Sequence, residues 1–298
     1  MRPTRHMMTD YAFGVEKVAH TLDGEKTGWH AVRRTDMTGK VALLGMAKDN
    51  YAVVPNDELV NTAREAFTNL KADNYEEKLF CTLGGSRFYG EYTFKDKTIV
   101  VPKVGDTIGL RLTLNNSYDR SCKVGFSMGF VRLVCTNGMV TNSRDYDFNQ
   151  LHSGKVPIAE AQDAIKKAFE GFNADSMAIF GDMAHQEITQ KQGDIIVDNM
   201  AIKTLVSAAA RDSVKMIWAD PTHQRADANR NLFNLYNAFT QHLTHSPTAG
   251  YERFENSRKT SRKIFDRLAR ITRNEGERDE WMVRFPVKEK AVKVVVEA

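Results

Sequence analysis

The chain has 298 residues, of which 42% are hydrophobic and 27% are charged, an ordinary composition for a soluble globular protein. Its length is enough for one large or two modest domains. No apolar run approaches the roughly 20 residues that span a bilayer, and the N-terminus lacks the apolar core of a secretion signal. These features argue against an integral membrane or secreted protein, so we expect a cytoplasmic one.

Charge and cysteine content narrow the class further. The odd count of three cysteines, Cys81, Cys122 and Cys135, favours reduced thiols over a disulfide framework. The net charge of +4 is mild, but eight basic and three acidic residues fall between Tyr251 and Arg273. A helix with this excess suits a polyanionic partner, and a solvated basic helix face explains the same composition.

The first elements after an N-terminal arm (1–27) are two strands and a helix. The alternation in GWHAVRRTD and the β-branched run KVALLGMAKDNYAVVP predict two tightly joined strands. Apolar residues recur at spacings of three and four from Leu59 to Leu70. This spacing predicts an amphipathic helix of about 15 residues, with Asn56 or Asp57 as its N-cap.

Three or more strands follow. KLFCTLGGSRFYGEYTF contains paired glycines that indicate a kink or bulge, and KTIVVPKVGDTIGLRLTLNNS alternates clearly. The strand from Cys122 to Cys135 has an apolar face and a Gly-Ser-Gly face, and its apolar phase shifts after Phe130. A bulge or burial of both faces explains the shift. The small face favours close approach by a packed helix or by a ligand backbone.

The C-terminal half changes to helical periodicity. It predicts helices near 158–171, 175–190, 194–217, 223–244 and 251–273, followed by a tail (274–298) that ends in a possible edge strand. Because strands and helices do not alternate regularly, we predict an α+β fold. Its sheet core (28–157) is a curved antiparallel sheet with the order β-β-α-β-β-β-α, and its helical region is 158–273.

Signals for catalysis are weak. The phosphate-loop pattern GxxxxGK[ST] and the metal motifs CxxC and HExxH are absent, so no cofactor is expected. Asp145, Asp147 and His152 cluster in sequence, and with Asp220 and His223 they suggest a metal-dependent nuclease as one alternative. His242 and His245 are spaced like metal ligands, or they cap a helix end. Cys135 is either a nucleophile with His152 as its base or a buried thiol.

Signals for nucleic-acid binding are stronger, because basic residues and aromatic rings are interleaved along the strands. Tyr89 shares a face with Arg87 and is a candidate stacking ring, whereas Phe88 and Tyr92 fit the core. Arg132 either lines a groove or forms a buried ion pair. The predicted binding residues are Arg33, Arg34, Arg87, Tyr89, Lys103, Arg111, Arg120, Lys123, Arg132, Arg144, Lys155, Arg258, Lys259, Arg262 and Lys263.

Several segments resemble the phage/plasmid-like protein family, a domain of unknown function in mobile elements. They include GWHAVRRTD, DNYAVVPNDEL, GSRFYGEY, GDTIGLRLTLNNSYD, RLVCTNGMV, LHSGK and NLFNLYNAFTQHLTH. The resemblance extends from about Trp29 to Arg270, and its most specific marks are the Cys-Thr-Asn-Gly strand end and the Asn-Ala-Phe-Thr helix. It implies a phage or plasmid protein in a bacterial host.

The predicted element order is more distantly similar to single-strand annealing recombinases. That resemblance implies a homo-oligomer, a ring or a filament, that binds single-stranded DNA in a basic groove during recombination without ATP. It implies no catalytic residue, because annealing requires none. A non-enzymatic protein that binds a host factor or counters host defence is the other alternative.

Overall fold

The computed structural model describes residues 10–35, 39–132, 138–139, 148–171, 175–221, 229–245 and 254–283. Several predictions concern residues outside these ranges, namely those for Cys135, Arg144, Asp145, Asp147, His223 and the possible edge strand after residue 283.

The first three strands form a small antiparallel sheet in the order β1-β2-β3. They are β1 (Val15–Leu22), β2 (Glu25–Thr35) and β3 (Val41–Lys48). The predicted pair of joined strands is β2 and β3, and β1 is formed by part of the segment predicted as an arm. A Cβ on Gly45 would lie 2.4 Å from the carbonyl oxygen of Tyr118. The absence of that carbon therefore lets β3 lie directly against the second sheet.

Helix α1 (Asn56–Asn69) has the predicted apolar spacing and buries Leu59, Val60, Ala63, Ala66 and Phe67. Its predicted N-cap is wrong, because Pro55 occupies the cap position and makes no side-chain cap hydrogen bond. The Asn56 side chain is instead buried and forms hydrogen bonds within the core. Its amide donates to the carbonyl of Tyr11 at 3.1 Å, and its Oδ1 accepts from Asn116 at 2.8 Å.

The larger sheet is antiparallel with the order β4-β5-β6-β7-β8, and β9 pairs with the other end of β7. Its strands are β4 (Tyr75–Thr82), β5 (Arg87–Val100), β6 (Thr107–Ser117), β7 (Val124–Arg132), β8 (Gly138–Met139) and β9 (Phe148–Gln150). The paired glycines lie in a 3₁₀ turn, Leu83–Gly85. Every residue of β7 is buried and its register with β6 is regular. Burial of both faces therefore explains the shift of apolar phase.

The C-terminal half is helical, as predicted. Its helices are α2 (Glu160–Gly171), α3 (Asp175–His185), α4 (Gln190–Val197), α5 (Met200–Lys203), α6 (Ala208–Ala219), α7 (Leu232–His245), α8 (Phe254–Arg273) and α9 (Glu275–Val283). The single helix predicted over 194–217 is wrong. Asn199 accepts a hydrogen bond from the Ala201 amide, and Ser207 accepts one from the Ala210 amide. Each side chain starts a new helix and so divides the segment.

One apolar core joins the sheets to the helices. The Phe180 ring of α3 lies 5.5 Å from Phe130 of β7, 5.8 Å from Phe233 of α7 and 5.6 Å from Phe265 of α8, between centroids. The α+β prediction, with an open curved antiparallel sheet and a helical second half, is confirmed. Within the described ranges, each helix is too short or too polar to cross a membrane.

Candidate functional site

A cleft of about 700 Å³ opens between the larger sheet and α8. Four segments approach it: the end of β3 with the residues after it, the connection from β6 to β7, the residues that follow β9, and the N-terminal half of α8. Its lining residues are Lys48, Asn50, Tyr51, Asn115, Arg120, Ser121, Cys122, Lys123, Ser127, Asn149, Leu151, His152, Ser153, Arg258, Lys259 and Arg262. Six of them are basic, and none of these described residues is acidic.

The sheet side of the cleft is a turn held by its own polar groups. Ser117 Oγ donates to the Cys122 carbonyl at 2.9 Å, and the Ser121 amide donates to Asp119 Oδ1 at 2.9 Å. Arg120 has a positive φ of 64°, an uncommon conformation for a residue with a long side chain. The turn thus presents exposed Arg120 and Lys123 to the cleft.

The opposite side is one face of α8. Ile264, Phe265 and Leu268 anchor the other face of this helix in the core. The basic residues Arg258 and Arg262 are one turn apart, so their side chains are neighbours on the helix surface. With Lys259 they supply three cations that face those of the turn.

An aromatic ring lies behind two of these cations. The Lys48 ammonium lies 4.1 Å from the centroid of the Trp29 ring, and the Arg120 guanidinium carbon lies 5.3 Å from it. Trp29 and Lys48 are partners in the β2–β3 register. Cation–π attraction therefore holds both charged groups on the cleft side of the small sheet.

The floor is the short segment after β9. Its backbone is fixed by hydrogen bonds from the Ala52 amide to the His152 carbonyl (3.2 Å) and from the Gly154 amide to the Asn50 carbonyl (3.0 Å). The His152 ring is stacked on Tyr51 at 4.8 Å and is 8% exposed. Burial lowers the pKa of His152, against a smaller opposing effect of its hydrogen bond to Ala52. The imidazole is therefore neutral at pH 7.

The hydrogen bonds of His152 define its tautomer. Nδ1 lies 3.0 Å from the carbonyl oxygen of Ala52. A carbonyl only accepts, so Nδ1 carries the proton and Nε2 presents a lone pair. Nε2 is buried and has no hydrogen-bond partner among the described residues. The floor of a cleft with basic walls thus holds a buried hydrogen-bond acceptor.

The electrostatics of the cleft follow from its lining residues. Six cations around one concave surface repel one another, and an anionic ligand removes that repulsion. Arg87 pairs with Asp119 at 2.9 Å and so neutralises the carboxylate of the turn itself. The positive charge of this lining suits extended or multiple anionic groups.

Five of the predicted binding residues meet in this cleft: Arg120, Lys123, Arg258, Lys259 and Arg262. Others form ion pairs elsewhere: Arg33 with Glu16 (2.8 Å), Arg87 with Asp119 (2.9 Å), Lys103 with Glu187 (2.5 Å) and Arg111 with Glu91 (2.6 Å). Arg34 lies over the Phe13 ring, and Lys155 and Lys263 are exposed outside the cleft lining. The structure therefore gathers only part of the predicted set.

Two predicted residues are buried. Arg132 is fully buried and its Nε lies 2.5 Å from Asp106 Oδ2, so the ion-pair alternative describes it. Tyr89 is 3% exposed and its ring is stacked on Phe80 at 5.6 Å. Both side chains serve the core of the sheet, and neither reaches the cleft.

Sequence reasoning missed Lys48 as a cleft residue and assigned His152 only to catalytic alternatives. The signal that could have indicated Lys48 is its place at the end of a predicted strand that pairs with the strand of Trp29. The sequence contained no comparable signal for the floor, because Ala52 and His152 are 100 residues apart.

The described residues also bear on metal binding. Among them, no three His, Cys, Asp or Glu side chains are grouped so as to hold a metal ion. His242 Nδ1 lies 2.9 Å from Ser213 Oγ. Two acids of the nuclease alternative, Asp145 and Asp147, lie outside the described ranges, so that alternative stays a hypothesis.

Comparison with known proteins assigns the chain to a family. Residues 43–280 match the profile of DUF932, a domain of unknown function. The chain belongs to the DUF932 family. The match includes the larger sheet and most of the helical half, and therefore every basic residue of the cleft. No curated protein and no solved structure shows significant similarity to the chain.

Proposed function

We propose that this DUF932 chain binds single-stranded nucleic acid in the basic cleft and anneals complementary DNA strands, without ATP, during recombination of a phage or plasmid. The observation that carries the proposal is the convergence of six cations from three separate segments on one concave surface. Phosphate groups are the natural ligands of such a surface, because binding them releases condensed counterions.

The size of the cleft favours a single strand. Its volume of about 700 Å³ lies within the range of pockets that hold drug-sized ligands. That volume suits a few nucleotides of one strand better than a duplex. Longer strands then pass across several copies of the chain, as in a ring or a filament.

Annealing requires no covalent chemistry from the protein. Bound cations reduce the repulsion between two phosphate backbones, so complementary bases approach more easily. In this proposal α8, the turn between β6 and β7, and Lys48 supply these charges. We propose a homo-oligomer as the annealing species, since one cleft contacts too few nucleotides for stable pairing.

Binding can be measured by fluorescence anisotropy of a labelled 20-nucleotide strand between 20 and 300 mM salt. The double substitution Lys123→Gln and Lys259→Gln removes one cation from each side of the cleft. We expect affinity to fall by about tenfold at low salt. We also expect the slope of log K against log salt to weaken by about 1.4, which is roughly 0.7 for each phosphate that the variant no longer neutralises.

The matched control is the double substitution Lys95→Gln and Lys263→Gln. Both lysines lie outside the cleft lining, and Lys263 is one helical turn from Lys259. The control has the same net charge as the test variant. Equal decreases in affinity for the two variants would mean that total charge, not the cleft, determines binding.

Intrinsic fluorescence gives a label-free check. Trp218 and Trp281 are 2% and 7% exposed, whereas Trp29 is partly exposed and contacts two cleft cations. Bound nucleic acid should therefore change an emission signal that Trp29→Phe removes. Annealing itself is measured as the pairing rate of two dye-labelled complementary strands with and without protein. An unchanged rate would limit the function to strand binding.

A further inference from the structure

The basic cleft contains one group that phosphate binding does not use. The Arg and Lys side chains are donors, and phosphate oxygens are acceptors that match them. His152 lines the same cleft, and its buried Nε2 is an acceptor with no hydrogen-bond partner among the described residues. A buried unpaired acceptor carries a desolvation cost that a ligand donor removes.

The chemistry of the strand limits which group that donor is. The backbone of DNA contains phosphates and ring or ester oxygens, all of which are acceptors. The backbone of RNA adds one donor for each nucleotide, the 2′-hydroxyl, next to the phosphate. A group that lies beside phosphate-binding cations is therefore in position to meet the sugar.

We propose that His152 Nε2 accepts a hydrogen bond from a ribose 2′-hydroxyl, so that the cleft binds RNA more tightly than DNA of the same sequence. The proposal rests on the proposed strand binding and specifies the sugar that the cleft prefers. DNA still binds through its phosphates, and RNA adds one hydrogen bond.

The contacts of His152 hold its imidazole in one orientation and one tautomer. Its Nδ1–H is committed to the Ala52 carbonyl at 3.0 Å, which fixes the ring orientation and the tautomer. The ring is also stacked on Tyr51, whose hydroxyl donates to the Ser117 carbonyl at 2.5 Å. The orientation and tautomer of the imidazole are therefore fixed before a strand binds, which favours selectivity.

The test compares three 12-nucleotide strands on the wild-type protein by fluorescence anisotropy. The first is RNA, the second is DNA with deoxyuridine in place of thymidine, and the third carries 2′-fluoro in place of 2′-hydroxyl. The first two differ only at the 2′ carbon, and the third lacks the donor but keeps an RNA-like sugar. We expect RNA to bind roughly 5- to 10-fold more tightly than the other two, as for one net hydrogen bond.

The substitution His152→Phe keeps a flat ring against Tyr51 and removes both nitrogens. We expect it to reduce the ratio of RNA affinity to DNA affinity to about one, because the acceptor for the 2′-hydroxyl is gone. Equal binding of RNA and DNA to the wild type would overturn the ribose assignment and leave strand binding intact. Failure to bind either strand would overturn strand binding itself.

Two other outcomes also decide the matter. If 2′-fluoro RNA binds as tightly as RNA, the hydroxyl donor is not recognised and the proposal is wrong, whether or not the His152 variant folds. If His152→Phe weakens RNA and DNA equally, the acceptor contacts a base or supports the floor, and the assignment to ribose is again wrong.

Discussion

The buried imidazole of His152 makes the stability of the fold depend on pH. Its folded-state pKa is lowered by burial, and that of His242 is lowered for the same reason. An unfolded histidine titrates near pH 6.5. Below that pH the unfolded chain binds more protons than the folded chain, so the free energy of unfolding decreases as pH falls. Full stability is present above the unfolded pKa.

We therefore expect urea-denaturation midpoints of the ligand-free protein to fall between pH 7.5 and pH 5.5. The decrease should be smaller in His152→Phe and smaller again when His242→Phe is added, because each substitution removes one group that protonates only on unfolding. Identical pH dependence in wild type and both variants would show that other groups govern the acid limb.

Single residues also show what the sequence could predict. Arg258, Lys259, Arg262 and Lys263 were predicted as a group because their charge excess is local, and the structure places the first three in the lining of one cleft. Arg132 and Arg111 were also predicted as binding residues, but each forms an ion pair within the fold. Arg132 pairs with Asp106, 26 residues away in sequence, and Arg111 pairs with Glu91, 20 residues away. A basic residue in a strand reveals its role only when its cross-strand partner is known, and pairing is a property of the fold.

At the scale of elements, α4 and α6 are in contact through a glycine. A Cβ on Gly193 would lie 2.3 Å from Trp218 Nε1 and 2.6 Å from Cε2. The Trp218 indole cannot move easily, because it is buried and donates to the Gln190 carbonyl at 3.2 Å. Glycine at position 193 lowers the helix propensity of α4, but it allows α4 to pack closely against Trp218 of α6.

Gly193→Ala should destabilise the fold by about 1–3 kcal/mol, since overpacking outweighs the gain of up to about 1 kcal/mol in helix propensity. Gly276→Ala in α9 is the control, because the new carbon would lie 3.7 Å from Asn274 Oδ1, an ordinary van der Waals contact. Chemical denaturation measures both. A Gly193 variant as stable as the control would contradict the close contact.

The sequence predicted some helices more accurately than others. The apolar spacing from Leu59 to Leu70 defined α1, because local periodicity and burial agree there. The division between α4, α5 and α6 was missed, although Asn199 and Ser207 are strong cap residues. Continuous helical periodicity across 194–217 concealed the two caps.

At the scale of the whole molecule, the predicted boundary near residue 158 separates two element types but not two cores. Buried residues of the sheets and of the helices form one continuous cluster. Phe180 is central to it, because its ring contacts one aromatic residue of the sheet and two of the helices. The sheet half and the helical half should therefore unfold together.

Phe180→Ala should lower the free energy of unfolding by about 3–5 kcal/mol. Met216→Ala, at a side chain that is 74% exposed, should change it by less than about 0.5 kcal/mol. Circular dichroism and tryptophan fluorescence should give one coincident transition in the wild type. Two separated transitions would mean that the halves are independent domains.

Gly125 of β7 lies outside the cleft lining, but it sets the position of the strand that leads to the cleft floor. A Cβ there would lie 2.2 Å from the Phe148 carbonyl oxygen, so β9 occupies the space that any other residue would fill. β9 ends two residues before His152. A larger residue at Gly125 would therefore displace β9 and the segment after it, and so would move the imidazole without changing any side chain of the cleft.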